Sequence, residues 1–155
     1  MESGGAIRQV AILGAGGWGT ALAVHLARIG HDARLWAREA AFAEEIRLRR
    51  ANAVYLPDIR FPERLRVTAD LQQAVRDVDF LVAAVPSHGI RQILRQVSTL
   101  LRPGVTIVSA AKGLEQVTLL RMSEVIEEEL GNGVRVAVLS GPSFASEMAR
   151  ELPTA

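Results

Sequence analysis

The chain has 155 residues, 49% of them hydrophobic, and a formal net charge of +1: enough apolar material for one core, and too little charge to recruit nucleic acid or an anionic surface. It contains no cysteine, which excludes disulfides and thiolate metal sites, and no apolar stretch approaches the ~20 residues that span a bilayer. Residues 1–6 carry neither a basic patch nor an apolar run, so they read as a flexible leader without export signal, and residues 7–155 as a single domain.

Ile7 to Leu13 is aliphatic and β-branched around Gln9, as a central parallel strand should be, and stops at Gly14-Ala15-Gly16-Gly17-Trp18-Gly19. A helix is expected at once beyond it, about Trp18 to Ile29, with Ala21, Leu22, Leu26 and Ile29 on one face and Gly30 closing it. G-x-G-x-x-G is weak evidence alone, but between a strand and a helix it indicates a dinucleotide seat. Gly14 permits the sharp turn, Gly16 removes the side chain that would hold a pyrophosphate off the backbone, and Gly19 lets helix and strand pack closely. The free amides at the helix start then face the phosphates with the positive end of the helix dipole behind them. His25 has no metal-type residue at i+3 or i+4, so it reads as a packed or surface histidine, and no metal site is expected.

Ala33 to Arg38 gives a second strand, ending about twenty residues past the glycine turn, where such domains discriminate the adenosine ribose. An acid there accepts hydrogen bonds from both ribose hydroxyls, whereas this strand delivers Arg38 followed by Glu39. A guanidinium suits a 2'-phosphate, which favours NADPH over NADH or allows both; the plainer alternative is a solvated arginine. Glu39 to Arg50 reads as a helix with Phe42, Ile46 and Leu48 inward and Arg47, Arg49 and Arg50 solvated. Asn52 to Pro62, with two prolines and no period, reads as an irregular loop of the kind that lines sites.

Leu65 to Thr68 should be a strand, Asp70 to Val75 a short helix, and Asp79 to Val85 a third buried strand. Pro86-Ser87-His88 then turns at the crevice, with Ser87 expected to cap a helix from Ile90 to Leu101. His88 has no acidic neighbour to orient it and is not assigned as a base. Val105 to Ser109 is another strand, and Lys112 follows its carboxyl end. All but one of the 18 basic residues are arginine, so Lys112 is the exception to a general bias, and a cation there suits a substrate phosphate or a polarised carbonyl. A helix from Leu119 to Leu130, with Met122, Val125 and Ile126 on its apolar face, precedes a last strand, Val134 to Leu139, and a helix starting near Pro142 or Ser143. The pattern is α/β: a Rossmann-like, doubly wound, mainly parallel sheet with helices on both faces.

Six stretches, Leu13-Gly14-Ala15-Gly16-Gly17-Trp18-Gly19-Thr20-Ala21-Leu22-Ala23, Leu35-Trp36-Ala37-Arg38, Asn52-Ala53-Val54-Tyr55-Leu56-Pro57, Val85-Pro86-Ser87-His88, Ala111-Lys112-Gly113-Leu114-Glu115 and Leu139-Ser140-Gly141-Pro142-Ser143-Phe144-Ala145, together resemble the bacterial NAD(P)-dependent glycerol-3-phosphate dehydrogenases. The resemblance runs from about Ile7 to the last residue. It implies hydride transfer between NAD(P)H and dihydroxyacetone phosphate, giving sn-glycerol 3-phosphate for glycerophospholipid synthesis in the cytoplasm. It assigns Gly17, Trp18, Arg38 and Ala145 to the cofactor, Lys112 to cofactor and substrate, and Gly141 and Ser143 to the substrate, and it leaves room for a homodimer. The family's second, helical domain, which supplies the proton acceptor, is not represented, so this chain alone is expected to bind cofactor without turnover. The alternatives are the cofactor domain of a hydroxyacid or ketopantoate-type dehydrogenase and a non-enzymatic nucleotide sensor. A methyltransferase would want an acid where Arg38 stands.

Overall fold

The computed structural model describes residues 6–154; all but the last residue of the expected leader lies outside the described residues. The elements in chain order are β1 (Gln9–Leu13), α1 (Gly17–Arg28), β2 (Asp32–Trp36), α2 (Ala40–Arg49), β3 (Ala51–Asn52), β4 (Leu56–Arg60) and β5 (Leu65–Thr68). They continue as α3 (Leu71–Val75), β6 (Phe80–Ala83), α4 (Ser87–Val97), β7 (Thr106–Ser109), α5 (Met122–Leu130), β8 (Arg135–Val138) and α6 (Ala145–Ala149).

Six strands form one sheet in the order β5-β2-β1-β6-β7-β8, and every pairing in it is parallel. Strand order reverses at β1 and β6, the switch point outside whose carboxyl ends such sheets bind ligands. Period-two alternation divides the interior: Val10, Ile12 and Leu35 pack toward α1 and α2, whereas Ala11, Leu13 and Leu81 pack toward α3, α4 and α5. Ile12, Leu13, Leu35 and Leu81 are fully buried, each contributing about 1.5–3 kcal/mol of apolar transfer energy. Helix α1 lies close to the sheet because its buried residues, apart from Leu22, are no larger than valine: Gly19, Thr20, Ala21, Ala23, Val24 and Ala27. Helix α6 returns to α1, where Ala149 is buried and the Arg28 guanidinium donates to its carbonyl.

Several local expectations are corrected. Ile29 is the C-cap of α1 and 56% exposed, so Ala27 takes the buried place assigned to it. Leu48 is 68% exposed, because the buried residues of α2 are Ala43 and Ile46 alone. Arg50 is not a solvated face residue: it ends α2 in the left-handed conformation, and its guanidinium donates to the carbonyls of Phe61, Pro62 and Leu65. The segment read as irregular contains the antiparallel pair β3–β4, in which Pro57 is tolerated because a two-stranded ribbon leaves one side of each strand unpaired. Ser87 is the first residue of α4, with Pro86 at the cap. Helix α5 begins at Met122 rather than Leu119, whose φ of 60° belongs to the preceding turn. Helix α6 begins at Ala145, after Pro142 and Ser143.

Candidate functional site

The carboxyl ends of β1, β2, β6 and β7 open on a cleft of about 870 Å³, lined among others by residues 14–19, Arg38, Tyr55, Pro86, Ser87, His88 and Lys112. Its floor is the turn between β1 and α1. Gly14 has φ +112°, and a Cβ on it would stand 2.7 Å from the Ala84 carbonyl oxygen; one on Gly19 would stand 1.9 Å from the Gly14 carbonyl oxygen. The turn is therefore pressed onto the exit of β6 on one side and onto its own helix on the other. No side chain caps α1, whose N-cap residue is Gly16, so the first amides of the helix face the cleft with the dipole behind them. That arrangement suits an anion.

Asn52, treated from sequence as one loop residue among several, holds this turn. Its side chain is fully buried, donates to the Ala15 carbonyl at 3.0 Å and to the Thr20 hydroxyl at 2.9 Å, and accepts from the Tyr55 amide at 3.2 Å. Thr20, a polar residue among the small and apolar ones that open α1, was the available signal. Asn52→Ala leaves those groups buried without partners, and the expected cost is about 2–3 kcal/mol, measured by urea denaturation; Asn52→Asp should keep the Tyr55 bond and accept from the Thr20 hydroxyl, leaving the Ala15 carbonyl without its donor.

Most of the residues singled out from sequence converge here. The Lys112 ammonium lies 6.0 Å from the centroid of the Trp18 ring and donates to the Ser143 carbonyl at 3.4 Å, so it spans the first and last motifs. A Cβ on Gly17 would stand 3.1 Å from the Tyr55 carbonyl oxygen and 3.7 Å from the Ala145 Cβ, which sets Ala145 beside the helix start. The Arg38 guanidinium reaches toward Gly89 at the start of α4, coming within 3.9 Å of where a Cβ on that glycine would stand. Gly141 lies apart from the main cleft, in an adjoining hollow of about 540 Å³ that Lys112 also lines. Ser109 lines that hollow too; it is 1% exposed, and its hydroxyl has no partner among the described residues.

The loop carrying Lys112 is fastened at its far end. Arg91 on α4 donates to both carboxylate oxygens of Glu115, at 2.7 and 2.8 Å, and also reaches Glu128 and Glu129 on α5. The Arg91 guanidinium, with the Thr118 hydroxyl, holds the Glu115 carboxyl down at about 2. A folded-state value below the ordinary 4.5 means that this tether is at full strength above about pH 4.5 and is lost as the pH falls toward 2. Carbon-detected NMR titration of the Glu115 carboxyl is expected to show that low midpoint, and Arg91→Gln to return it toward the ordinary range.

Among the described residues no helix is long and apolar enough to cross a membrane, and no group of three or more His, Asp or Glu is placed to hold a metal ion.

Comparison with known proteins follows the same lines. A family model described as the N-terminus of NAD-dependent glycerol-3-phosphate dehydrogenase matches residues 9–155. The NAD(P)+ glycerol-3-phosphate dehydrogenase of Thermoanaerobacter sp. (strain X514) is 46% identical over 147 residues, which is 95% of this chain and 44% of the relative. The enzyme of the same name from Aeromonas hydrophila is 47% identical over 146 residues, 94% and 44% of the respective chains. The chain thus spans a little under half the length of these relatives. The crystal structure of glycerol-3-phosphate dehydrogenase from Coxiella burnetii superposes with a TM-score of 0.90 at 39% identity, over 96% of this chain and 45% of that one. A pyrroline-5-carboxylate reductase from Coxiella burnetii, at 18% identity and a TM-score of 0.68, shares the fold alone.

Proposed function

The chain belongs to the NAD-dependent glycerol-3-phosphate dehydrogenase family, as its N-terminal part, and on that premise we propose that it is the cofactor-holding half of an enzyme interconverting dihydroxyacetone phosphate and sn-glycerol 3-phosphate in the cytoplasm. The observation that carries this reading is the junction of an uncapped α1 N-terminus with Lys112, whose ammonium stands 6.0 Å from the Trp18 ring at the same cleft. When bound, the nicotinamide supplies or accepts the hydride.

The roles of the chain's own residues follow from charge and reach. Gly14, Gly16, Gly17 and Gly19 let main-chain amides bind and orient a diphosphate. Arg38 neutralises a 2'-phosphate on the adenosine side, so NADPH is favoured over NADH. Trp18 and Ala145 bound the nicotinamide end. The Lys112 ammonium stabilises negative charge developing on the carbonyl oxygen of the substrate, and Gly141 and Ser143 border the substrate. The proton acceptor belongs, by family resemblance, to the second domain, so this chain alone should bind cofactor and not turn over.

Calorimetric titration of the chain with NADPH and NADH tests the reading. Both should bind, NADPH more tightly, and Arg38→Ala should weaken NADPH about ten-fold or more while leaving NADH nearly unchanged, the size of a lost charge-assisted pair at a partly exposed site. Absence of heat with either nucleotide in a folded chain would overturn it.

A further inference from the structure

Away from the cleft, at the β5 edge of the sheet, five arginines surround a cavity of about 460 Å³: Arg34, Arg47, Arg50, Arg66 and Arg76, with Val67, Thr68 and Gln73 completing the wall. It shares no lining residue with the dinucleotide cleft, and no carboxylate lines it. Two of the arginines have acids nearby, Arg47 with Glu44 at 2.6 Å and Arg76 with Asp77 at 3.9 Å. The other three have no carboxylate partner among the described residues. Arg50 is held by the carbonyls of Phe61, Pro62 and Leu65, and Arg34 by the carbonyls of Gln73 and Arg76 and by the Gln9 side-chain oxygen at 3.0 Å. Neutral acceptors fix these guanidiniums in place without cancelling their charge. The Arg66 side chain has no hydrogen-bond or ion-pair partner among the described residues.

Register sharpens the point. Arg34 on β2 and Arg66 on β5 are paired directly across the parallel ladder, so two like charges stand opposite each other on one face, an arrangement that destabilises a sheet unless an anion lies between them. Charges that only guard a sheet edge against intermolecular pairing belong on the edge strand. Arg34 lies on the next strand inward and is half-buried.

We propose that this cavity is a second anion site, taking a compact ligand with two or more linked phosphoryl groups, a condensed phosphate or the diphosphate portion of a soluble metabolite. Several guanidinium forks converging from different elements match several phosphoryl oxygens on one small body, and the carbonyl-held Arg34 and Arg50 are already ordered before it arrives.

The test is NMR titration of the chain at low salt with inorganic pyrophosphate, tripolyphosphate and monophosphate, reading arginine side-chain and backbone signals separately for this cavity and for residues 14–19. The expected result is saturable perturbation of Arg34, Arg66, Thr68 and Gln73 by pyrophosphate and tripolyphosphate, with monophosphate at least ten-fold weaker. Arg66→Gln should weaken pyrophosphate at this cavity at least ten-fold, leave the response of residues 14–19 intact, and melt at or above the wild-type temperature in anion-free buffer. Perturbation confined to residues 14–19, equal affinity for mono- and pyrophosphate, undiminished binding by Arg66→Gln, or a lowered melting temperature of that variant without anion would each overturn the proposal.

Discussion

Gly19→Ala is expected to destabilise the chain by about 3 kcal/mol or more, a fall of roughly 6–12 °C in melting temperature at this chain length. The added methyl would stand 1.9 Å from the Gly14 carbonyl oxygen, and 3.2 Å from the Ala84 Cβ. The first obstacle is main chain. Moving it displaces Gly14, whose φ of +112° and close approach to the Ala84 carbonyl already tie the turn to β6, so strain spreads into the center of the sheet. Gly16→Val separates the two duties of the glycine turn. A Cβ on Gly16 meets nothing within 4 Å, and its φ of −74° and ψ of −175° are extended backbone that a branched residue adopts. That variant should melt within about 1 kcal/mol of wild type yet lose NADPH, because the branched side chain projects where the diphosphate approaches the amides. Differential scanning calorimetry followed by NADPH titration of both variants distinguishes the cases. Equal stability of all three proteins would disprove the packing argument at Gly19.

Lys112→Ala, introduced into an enzyme in which the family's helical second domain follows residue 155, should lower kcat/KM for dihydroxyacetone phosphate by about 10²–10³, the range found when a preorganised electrostatic donor is removed from an acyl-transfer site. Its ammonium is free to serve the substrate: its own hydrogen bond is a long one, 3.4 Å to the Ser143 carbonyl, and the Trp18 ring is its aromatic neighbour. With the diphosphate seated in the β1–α1 turn, as proposed, its binding does not depend on Lys112, so NADPH affinity measured by calorimetry should change by less than about three-fold, well under 1 kcal/mol. Lys112→Arg should recover part of the rate, since the charge is kept and its placement is not. A rate unchanged by Lys112→Ala would leave this lysine as an exposed cation with no share in the chemistry.

The parts of the fold that were legible from sequence are those with one dominant signal. β1 holds an apolar run, Val10 to Leu13, ended by glycine, its neighbour β6 lies in an apolar run ended by Pro86, and β7 follows the Pro103-Gly104 break, so the parallel sheet and its crevice followed from period and punctuation. Errors fell where two signals compete. Prolines at 57 and 62 argue for irregular structure, but an isolated two-stranded ribbon has a free edge that accepts Pro57, Pro62 lies beyond β4, and β3–β4 resulted. Ser87 is a good cap by chemistry, yet Pro86 is pre-set for the extended cap conformation, so the helix starts at Ser87, three positions before Ile90. Helix α2 uses a narrower apolar face than its residue pattern suggests, because a helix at the margin of a sheet has little to cover.

The same division holds for the site. Gly14, Gly16, Gly19 and Lys112 could be singled out because each departs from its surroundings, as punctuation or as the sole lysine. Asn52 could not be ranked, since a buried amide acts through three partners at positions 15, 20 and 55 and no periodicity encodes that. The arginine cavity was invisible for a different reason: Arg34 and Arg66 become neighbours only through the register of β2 with β5.

The return of α6 onto α1 sets an order of events during synthesis. Arg28 meets the Ala149 carbonyl across 121 positions, and Ala145 lies beside Gly17. A nascent polypeptide can lay down β1, the glycine turn and the first half of the sheet while still tethered to the ribosome, but the outer surface of α1 stays bare until Ala145–Ala149 has emerged. Such distant closures are slow and expose apolar surface meanwhile. A stalled or prematurely released chain ending before Ala145 would therefore present that surface to chaperones and proteases.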